Sequence, residues 1–401
     1  MRNLKNTGQT LLQFSNNALP LTASAWDAST DSLICAFGPS ESAAVIELKR
    51  LREYTETPEQ RLEIIASWNA PCPIPTLPCD AILDLHHFSD SSTLCLILAG
   101  GDIVIVREEP LLGEDPIEIV GSVDAGISAA AWSPDEELLA LTTHANTLLY
   151  MTREFENIAS ASFTSDDVKV SSHVSVGWGK SETQFKGKRA KALRDPTIPE
   201  YVDEGILSPF DNHSASVSWR GDGAYVAINT VEREKRRMIR VYSREGLLES
   251  VSEPLDGLEG ALSWRPAGNI LAGIQRLKDR IDIVFFERNG LRHGQFSLRM
   301  TSEELDSLTM PLKLDWNIDS SALSVCYPDK VQLWTMGNYH YYLKQEVGFP
   351  RMQHGTIVTN TYWHPEKPLR LALATLGRIF IYPQLFHSSK PRLTVRTLTR
   401  D

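Results

Sequence analysis

The chain has 401 residues, of which 42 % are hydrophobic and 23 % are charged, a composition typical of a folded globular protein. Its formal net charge is −11, so the chain as a whole repels nucleic acid, and any contact with nucleic acid has to be local. No apolar run reaches the roughly 18 residues of a membrane-spanning helix, so no membrane association is expected.

One pattern recurs along the chain from Trp26 onward. Each unit has an aromatic residue, a short turn, an apolar strand, a polar hairpin and another apolar strand. Successive units lie 62, 44, 87, 45, 52 and 47 residues apart, and the same point of the unit is occupied by six of the nine tryptophans. The aromatic residues are Trp26, Phe88, Trp132, Trp219, Trp264, Trp316 and Trp363.

Four of these six spacings are close to the roughly 40–45 residues of a four-stranded WD-repeat blade. The sequence therefore predicts an all-β fold, a seven-bladed WD-repeat-type β-propeller over residues 1–383, with insertions in the two long intervals. Because neighbouring blades cover each other, the tryptophans of the last five units are expected to be largely buried. We expect Leu11 to Phe14, a short apolar stretch, to pair with the last blade and close the ring.

The unit at Trp219 shows the local chemistry of the repeat. It reads ASVSWRGDGAYVAI, and Val217 and Trp219 point to one side of its first strand. The letters RGDG predict a tight turn, in which Gly221 and Gly223 are expected to take positive φ. A charged hairpin and the strand RMIRVYS follow.

The segments between the repeats predict loops and outer strands. Residues 48–61 are charged and predict a solvated loop or hairpin, whereas Leu62 to Trp68 alternates and predicts the outer strand of the first blade. The proline-rich PCPIPTLPCD predicts a connector, because proline cannot enter a central strand. Glu108 to Asp115 predicts an acidic hairpin loop, and the aromatic segment 338–349 predicts an edge strand.

The five cysteines do not predict a disulfide framework. Cys35, Cys95 and Cys326 lie in apolar strands and are interpreted as buried small hydrophobes. Cys72 and Cys79 flank PIPTLP, where a disulfide or half of a metal site stays open, but the spacing matches no common zinc pattern and favours free loop thiols. The odd count and the lack of a secretory apolar segment favour the cytosol.

The longest interval, from Trp132 to Trp219, contains a basic insert at about residues 179–210. Residues 180–194 carry six cations against Glu182 alone, a net charge of +5 inside a chain of net −11. The segment lacks apolar periodicity and predicts a surface loop. Its cations are Lys180, Lys186, Lys188, Arg189, Lys191 and Arg194.

A second basic segment is the hairpin from Glu232 to Arg240. Basic hairpin tips are commonly just solvated, and that interpretation stays open beside a role in binding. The hairpin cations that join the insert as candidate contacts are Arg233, Lys235, Arg236 and Arg237.

No catalytic motif is present in the sequence. The nucleophile elbow GxSxG, the zinc motif HExxH and the phosphate-binding GxxxxGK[ST] are absent. His86 and His87 are adjacent and point to opposite faces of a strand, so this spacing cannot chelate one ion. A site assembled from several blades in a central channel leaves no linear motif, so an enzyme stays the competing class.

Several segments differ from the sequences of generic WD repeats, among them HVSVGWGKSETQFKGK, LRDPTIPE, VFFERNGLRHGQF and NYHYYLKQE. Together with SWRGDGAYVAI, VYSREGLLESVSEP and LSWRPAGNILAGIQR they resemble the N-terminal propeller of the largest subunit of the Elongator complex, over essentially the whole chain. Members of that family are much longer, with a second propeller and a helical-repeat region. The resemblance implies that this chain corresponds to the first third, and that residues 384–401 are a tail or linker toward a second propeller.

The resemblance implies a non-catalytic scaffold. Elongator installs 5-carboxymethyl-type modifications on wobble uridines of transfer RNA in the cytoplasm, with the nucleus as a second compartment for the protein. The implied partners are the catalytic radical-SAM/acetyltransferase subunit and a second WD-repeat subunit, and no cofactor is implied for this chain. Dimerisation in the family uses the C-terminal part, so this chain is expected to be a monomer.

In that setting, the cations of the insert and the hairpin are candidates for contact with the transfer RNA backbone or with an acidic face of a partner subunit. The alternative function is a generic protein-interaction propeller of another multisubunit assembly.

Overall fold

The computed structural model describes residues 4–6, 10–13, 19–52, 62–74, 79–164, 166–167, 203–232, 235–348, 357–375, 378–382 and 385–387. Within these ranges the chain forms thirty β-strands and one short helix, α1 (Ser302–Ser307). The strands are β1 (Leu4–Asn6), β2 (Thr10–Gln13), β3 (Leu21–Asp27), β4 (Ser32–Phe37), β5 (Val45–Leu51), β6 (Leu62–Asn69), β7 (Ile82–Phe88), β8 (Thr93–Leu98), β9 (Asp102–Arg107), β10 (Ile117–Ser122), β11 (Ile127–Trp132), β12 (Leu138–Thr143), β13 (Thr147–Thr152), β14 (Asn157–Ser162), β15 (Ser216–Trp219), β16 (Tyr225–Glu232), β17 (Arg236–Ser243), β18 (Leu248–Val251), β19 (Leu258–Trp264), β20 (Ile270–Arg276), β21 (Ile281–Glu287), β22 (Arg292–Ser297), β23 (Lys313–Trp316), β24 (Leu323–Cys326), β25 (Lys330–Gly337), β26 (His340–Gly348), β27 (Val358–Trp363), β28 (Leu371–Thr375), β29 (Arg378–Tyr382) and β30 (Leu385–His387).

Seven four-stranded antiparallel sheets form the blades of a propeller. Blades 1 to 6 each take four consecutive strands, from β3–β6 to β23–β26. Blade 7 takes β27, β28 and β29 from the C-terminal part and its outer strand, β2, from the N-terminal part. The predicted all-β, seven-bladed propeller is confirmed.

The two ends of the described chain close the ring. Strand β2 pairs with β29, with Thr10 opposite Ile381 and Gln13 opposite Arg378. This confirms the predicted closing strand, although Phe14 lies outside the described residues. Strand β1 then pairs with β30, so the closure extends past residue 383, where the sequence places the end of the propeller. Leu4 is buried in the apolar cluster between blades 6 and 7.

The aromatic residue of each repeat is the last residue of a blade's first strand, or the last but one in β3, and first strands of neighbouring blades contact one another. The apolar clusters lie between blades, as where Ile34 of blade 1 packs with Leu94 of blade 2. The predicted burial holds for four of the five tryptophans, while Trp363 is only partly buried.

Three of the repeat tryptophans also donate a hydrogen bond to the blade before their own. The Nε1–H groups of Trp219 and Trp26 donate to the carbonyl oxygens of Ala131, at 2.9 Å, and Tyr362, at 3.0 Å. Trp363 donates to the Asp315 carbonyl at 3.4 Å. Each acceptor immediately precedes the aromatic residue of the neighbouring blade, so the repeat sets both the packing and the register of adjacent blades.

The RGDG turn after Trp219 needs its two glycines for different reasons. Gly223 has a φ of +68°, as predicted. The same prediction for Gly221 is wrong, since Gly221 is not a positive-φ residue. A Cβ at Gly221 would lie 2.6 Å from the Pro266 carbonyl oxygen, so glycine is required there by the close approach of blade 5.

One predicted loop is partly wrong. Residues 48–51 of the expected solvated loop or hairpin 48–61 belong to β5, where Leu48 and Leu51 are buried while Lys49 and Arg50 are partly exposed. The strand was not recognised in the sequence because Lys49 and Arg50 break its apolar alternation. The predicted outer strand of blade 1 and the predicted edge strand near 338–349 are confirmed as β6 and β26.

No helix among the described residues has the length and apolar character needed to cross a membrane.

Strand direction gives the ring two faces. We call one the insert face; it carries the hairpins between second and third strands and the connections between blades. The other, the turn face, carries the turns between first and second strands and between third and fourth strands. The connection from β14 to β15, residues 163–215, and the hairpin 232–236 between β16 and β17 both belong to the insert face.

Candidate functional site

The described flanks of the basic insert lie on the insert face of blade 4, beside the second basic segment, the hairpin between β16 and β17. The candidates Lys180, Lys186, Lys188, Arg189, Lys191 and Arg194 lie outside the described residues, as does Arg233. The residues that flank the insert on both sides, 163–167 and 203–215, are described apart from residue 165. They leave and rejoin the propeller beside the hairpin that carries Lys235 and Arg236.

The N-terminal flank of the insert is held by Arg240 of β17. Its Nε donates to Asp167 at 2.7 Å, and its Nη1 donates to Thr230 Oγ1 at 3.0 Å. The same guanidinium lies over the Phe163 ring, 5.0 Å from its centroid. Burial by itself would raise the pKa of Asp167, but hydrogen bonds from Thr164 and Arg240 outweigh it and lower that pKa. The anchor is therefore an ionised pair within the fold.

The C-terminal flank is held by Arg237, three residues earlier in the same strand. Its Nε and Nη2 donate to the two oxygens of Asp211, the second at 2.8 Å, and Nη1 donates to the Ser214 carbonyl at 2.8 Å. The side chains of Arg237 and Asp211 are 0 % and 1 % exposed. The inclusion of Arg237 among the candidate contacts is therefore wrong, because its guanidinium is buried and paired with Asp211.

A second attachment of the same flank uses the backbone. The N–H groups of Glu204, Gly205 and Ile206 all donate to one oxygen of Asp256, at 3.0, 2.7 and 2.8 Å. Gly205 has a φ of +85°, which lets three successive N–H groups converge on one carboxylate. In return, the Gly257 N–H donates to the Ile206 carbonyl at 2.7 Å.

The flank then crosses onto blade 5. Arg276, at the end of β20, is paired with Glu259, which also accepts a hydrogen bond from Ser208 Oγ at 3.3 Å. The Arg276 guanidinium lies 5.2 Å from the centroid of the Phe210 ring and donates to the Leu308 carbonyl at 2.7 Å. Residues 203–214 thus form an ordered strap over blades 4 and 5.

Of the hairpin candidates that the structure describes, Lys235 and Arg236 face solvent to different degrees. Lys235 is exposed, and Arg236 is partly exposed with its Nε 3.3 Å from the Glu232 carboxylate. These two cations remain candidates for contact with a partner.

The buried anchors were not found by inspecting the sequence. Arg237 and Arg240 read as part of a basic hairpin tip, whereas both lie inside a strand. One signal was present in the letters RRMIRVYS, because arginines within an apolar strand need buried acidic partners. The partners, Asp167 and Asp211, lie on opposite flanks of the insert and have no local pattern that marks them.

The described residues provide no metal centre. No group of three His, Cys, Asp or Glu side chains in that part of the chain is arranged to hold an ion. His87 is buried, with its ring nitrogens 3.6 Å from Asp27 and 3.4 Å from Glu108, while His86 is partly exposed and 3.0 Å from Glu136. The predicted opposite orientation of the two histidines is confirmed. All five cysteines are free, and Cys35, Cys95 and Cys326 are buried as predicted.

The fold defines a class of protein, a seven-bladed β-propeller, and buried ion pairs hold the two flanks of its longest insertion. Residues 1–366 match the family model described as the ELP1 first N-terminal beta-propeller. The chain belongs to this family.

Curated relatives agree with this assignment. Elongator complex protein 1 of Schizosaccharomyces pombe is 47 % identical over 293 residues, which cover 72 % of this chain and 22 % of that protein. The Saccharomyces cerevisiae protein of the same name is 38 % identical over 398 residues, covering 90 % and 28 %, and the Mus musculus protein is 39 % identical over 308 residues, covering 74 % and 22 %. The chain therefore spans about a quarter of the length of these relatives.

A similar solved chain comes from a structure titled "Crystal Structure of Mitotic Checkpoint Complex". It covers 94 % of this chain and 94 % of its own length with a TM-score of 0.57, at 11 % sequence identity. This likeness shows the propeller fold alone.

Proposed function

We propose that this chain is a non-catalytic docking propeller of the Elongator complex, which supports 5-carboxymethyl-type modification of transfer RNA wobble uridines by holding the catalytic subunit. The observation that carries the proposal is the family match over residues 1–366, together with relatives named Elongator complex protein 1. The catalytic radical-SAM/acetyltransferase subunit and the second WD-repeat subunit are the proposed protein partners. We further propose that the chain itself is monomeric and works in the cytoplasm, with the nucleus as a second compartment.

The insert face is the proposed contact surface. Four buried attachments hold the described flanks of the insert, whose sequence carries a net charge of +5 at residues 180–194, and Lys235 and Arg236 lie beside those flanks. Fixed flanks reduce the conformational entropy that a loop loses on binding, so they favour recognition by the segment between them. Its lysines are proposed to contact the transfer RNA backbone or an acidic face of a partner subunit.

Charge reversal separates the two kinds of contact. The test variant is Lys186→Glu/Lys188→Glu/Lys191→Glu in the full assembly, and the matched control is Arg52→Glu/Lys344→Glu/Lys367→Glu, outside the insert face. If the lysines meet phosphates, transfer RNA affinity falls and its salt dependence weakens, by roughly 0.7 log units per contact per log unit of salt. If they meet a protein, co-purification of the catalytic subunit falls instead. No change in either measurement, relative to the control, contradicts the proposed contact.

The absence of catalysis is tested with the purified chain alone. We expect neither wobble-uridine modification nor hydrolysis of acetyl-CoA above background. Turnover by the chain without other subunits would overturn the non-catalytic part of the proposal.

A further inference from the structure

The hairpin between β9 and β10, residues 108–116, presents two adjacent leucines to solvent. Leu111 is 72 % exposed and Leu112 is 108 % exposed, at the tip of the acidic hairpin on the turn face of blade 2. Single exposed leucines are ordinary on protein surfaces. Two successive leucines at a protruding tip expose their apolar surface together, where a partner can enclose both.

The tip is held in one shape by its own polar groups. The Glu114 N–H donates to the Leu111 carbonyl at 3.0 Å, and the Leu111 N–H donates to a Glu114 carboxylate oxygen at 3.3 Å. Arg107 braces the hairpin from beneath, donating to Glu118 at 2.7 Å and to the Asp115 carbonyl at 3.2 Å. Pro110 and Pro116 flank the tip, and their fixed φ angles limit its freedom further.

The base of the hairpin is tied to a second blade. Arg50 of blade 1 donates from Nη2 to both oxygens of Glu108, at 2.6 and 2.7 Å. Burial would raise the pKa of Glu108, yet His87 and Arg50 together lower it, so the pair is ionised. The leucines are thus displayed from a base locked to blades 1 and 2. A binding element that is preorganised in this way loses little entropy when it docks.

The charges around the leucines select the kind of partner. Four exposed carboxylates, those of Glu109, Glu114, Asp115 and Glu118, surround the tip, and Arg107 is the one cation of residues 107–118. Such a surface repels the phosphates of nucleic acids and anionic lipids. It complements an apolar pocket whose rim carries lysine or arginine.

We propose that Leu111 and Leu112 are a docking anchor that inserts into an apolar pocket with a basic rim on another protein subunit of the assembly. This inference rests on the proposed function in one respect, the presence of such an assembly. The anchor belongs to the turn face, so it is separate from the insert face and from the contacts proposed for the basic segments.

The test uses the full-length protein in the reconstituted complex. The photoreactive residue p-benzoylphenylalanine is placed at position 112 and, as a matched control, at position 247. Leu247 is a 65 % exposed leucine in the equivalent turn of blade 4, next to a second leucine that packs inward. We expect a cross-link from position 112 to a peptide of another subunit that contains apolar residues and lysine or arginine, and none from position 247.

The affinity for the cross-linked subunit supplies the second measurement. Leu111→Ser/Leu112→Ser is expected to weaken binding at least tenfold, Glu109→Lys/Asp115→Lys to weaken it and reverse its salt dependence, and Leu247→Ser to change it less than twofold. Circular dichroism of each variant confirms that the propeller is folded.

Several results would overturn the proposal that Leu111 and Leu112 are a docking anchor. These are equal cross-linking from both positions, no cross-link from position 112, a cross-link to a second copy of this chain, and binding to phosphatidylcholine vesicles that the double serine variant abolishes. In all four cases, co-purification of the other subunits with the wild-type protein tells whether the proposed function stands without the anchor. Loss of that co-purification in the wild type refutes the proposed function itself.

Discussion

Buried charges at the insert face show how single residues hold the two flanks of the insert. Arg237 and Arg240 stand in an apolar strand, three positions apart, and each holds one flank of the insert through a carboxylate. Removing one partner of a buried pair leaves an uncompensated charge, whereas removing both partners leaves only a packing defect. This asymmetry makes the anchors testable by paired substitutions.

Replacement of the Arg237 side chain is expected to destabilise the protein. Arg237→Ala should lower the free energy of unfolding by about 3–5 kcal/mol, because Asp211 stays buried without its cation. The double variant Arg237→Met/Asp211→Leu should be clearly more stable than the single variant. Urea unfolding of the three proteins provides the comparison, and equal losses in the two variants would contradict a buried pair.

Asp315 in β23 should make the stability of the protein depend on pH. Burial raises the pKa of its carboxyl to about 7, even though a hydrogen bond from the Trp316 N–H opposes the shift. An unfolded aspartate ionises near pH 4, so between roughly pH 4 and 7 the folded state keeps a proton that the unfolded state has lost. The contribution of Asp315 to stability therefore falls as the pH rises through this window.

Asp315→Asn removes that penalty. The gain in unfolding free energy over the wild type should be about 2 kcal/mol larger at pH 8 than at pH 5. Asp306→Asn, at an exposed position of α1, serves as the control and should show no such trend. A pH-independent difference for Asp315→Asn would refute the raised pKa.

At the residue scale, the sequence predicted burial well and charge partners poorly. Buried cysteines follow from continuous apolar strands, and buried tryptophans follow from the repeat; both patterns are visible in the letters. The partners of Arg237 and Arg240 come from distant turns, so no local pattern reveals them. Gly221 shows the same limit, since the close contact with Pro266 comes from the next blade.

The element that repeats is a first strand ending in an aromatic residue, and it joins neighbouring blades. Trp219 and Trp26 pack between blades and donate an indole hydrogen bond to the preceding first strand. The individual blades could be predicted from the sequence, because the spacing and the turn residues lie within one repeat. The helix α1 could not be, since its six residues lie within a connection and are stabilised by the local capping box of Thr301 and Glu304.

The tryptophans should differ in energy according to their burial. Trp264→Ala, at a site with 2 % exposure, is expected to cost roughly 3–5 kcal/mol of unfolding free energy. Trp363→Ala should cost less, because Trp363 is only partly buried. Denaturant unfolding of both variants measures the order, and a Trp264→Ala loss below about 1 kcal/mol would mean that the inter-blade packing is misassigned.

At the scale of the whole molecule, the ring depends on strands from both ends of the described chain. Strand β2 covers the edge of β29, and β1 pairs with β30 beside it. An open strand edge is a template for pairing with another chain. The number of blades and the closing strand could be predicted from repeat count and a spare apolar stretch, whereas β1 and β30 are too short to leave a signal.

Removal of residues 1–18 should open the ring. We expect a lower unfolding temperature and a concentration-dependent increase in mass by light scattering, because the edge of β29 becomes free. Removal of residues 388–401, which leaves every described strand in place, is the control. A truncated protein that stays monomeric and as stable as the control would argue against closure by β2.

The central claim is that the insert face is a docking surface of this propeller within its assembly, and lysine cross-linking of the complete complex tests it most directly. Mass spectrometry would follow Lys180, Lys186, Lys188, Lys191 and Lys235, with Lys367 of the turn face as the reference lysine. We predict cross-links from the first five lysines to other subunits, at higher yield than from Lys367. Cross-links from those five lysines only to residues of this chain, in an assembly that is otherwise intact, would contradict the claim.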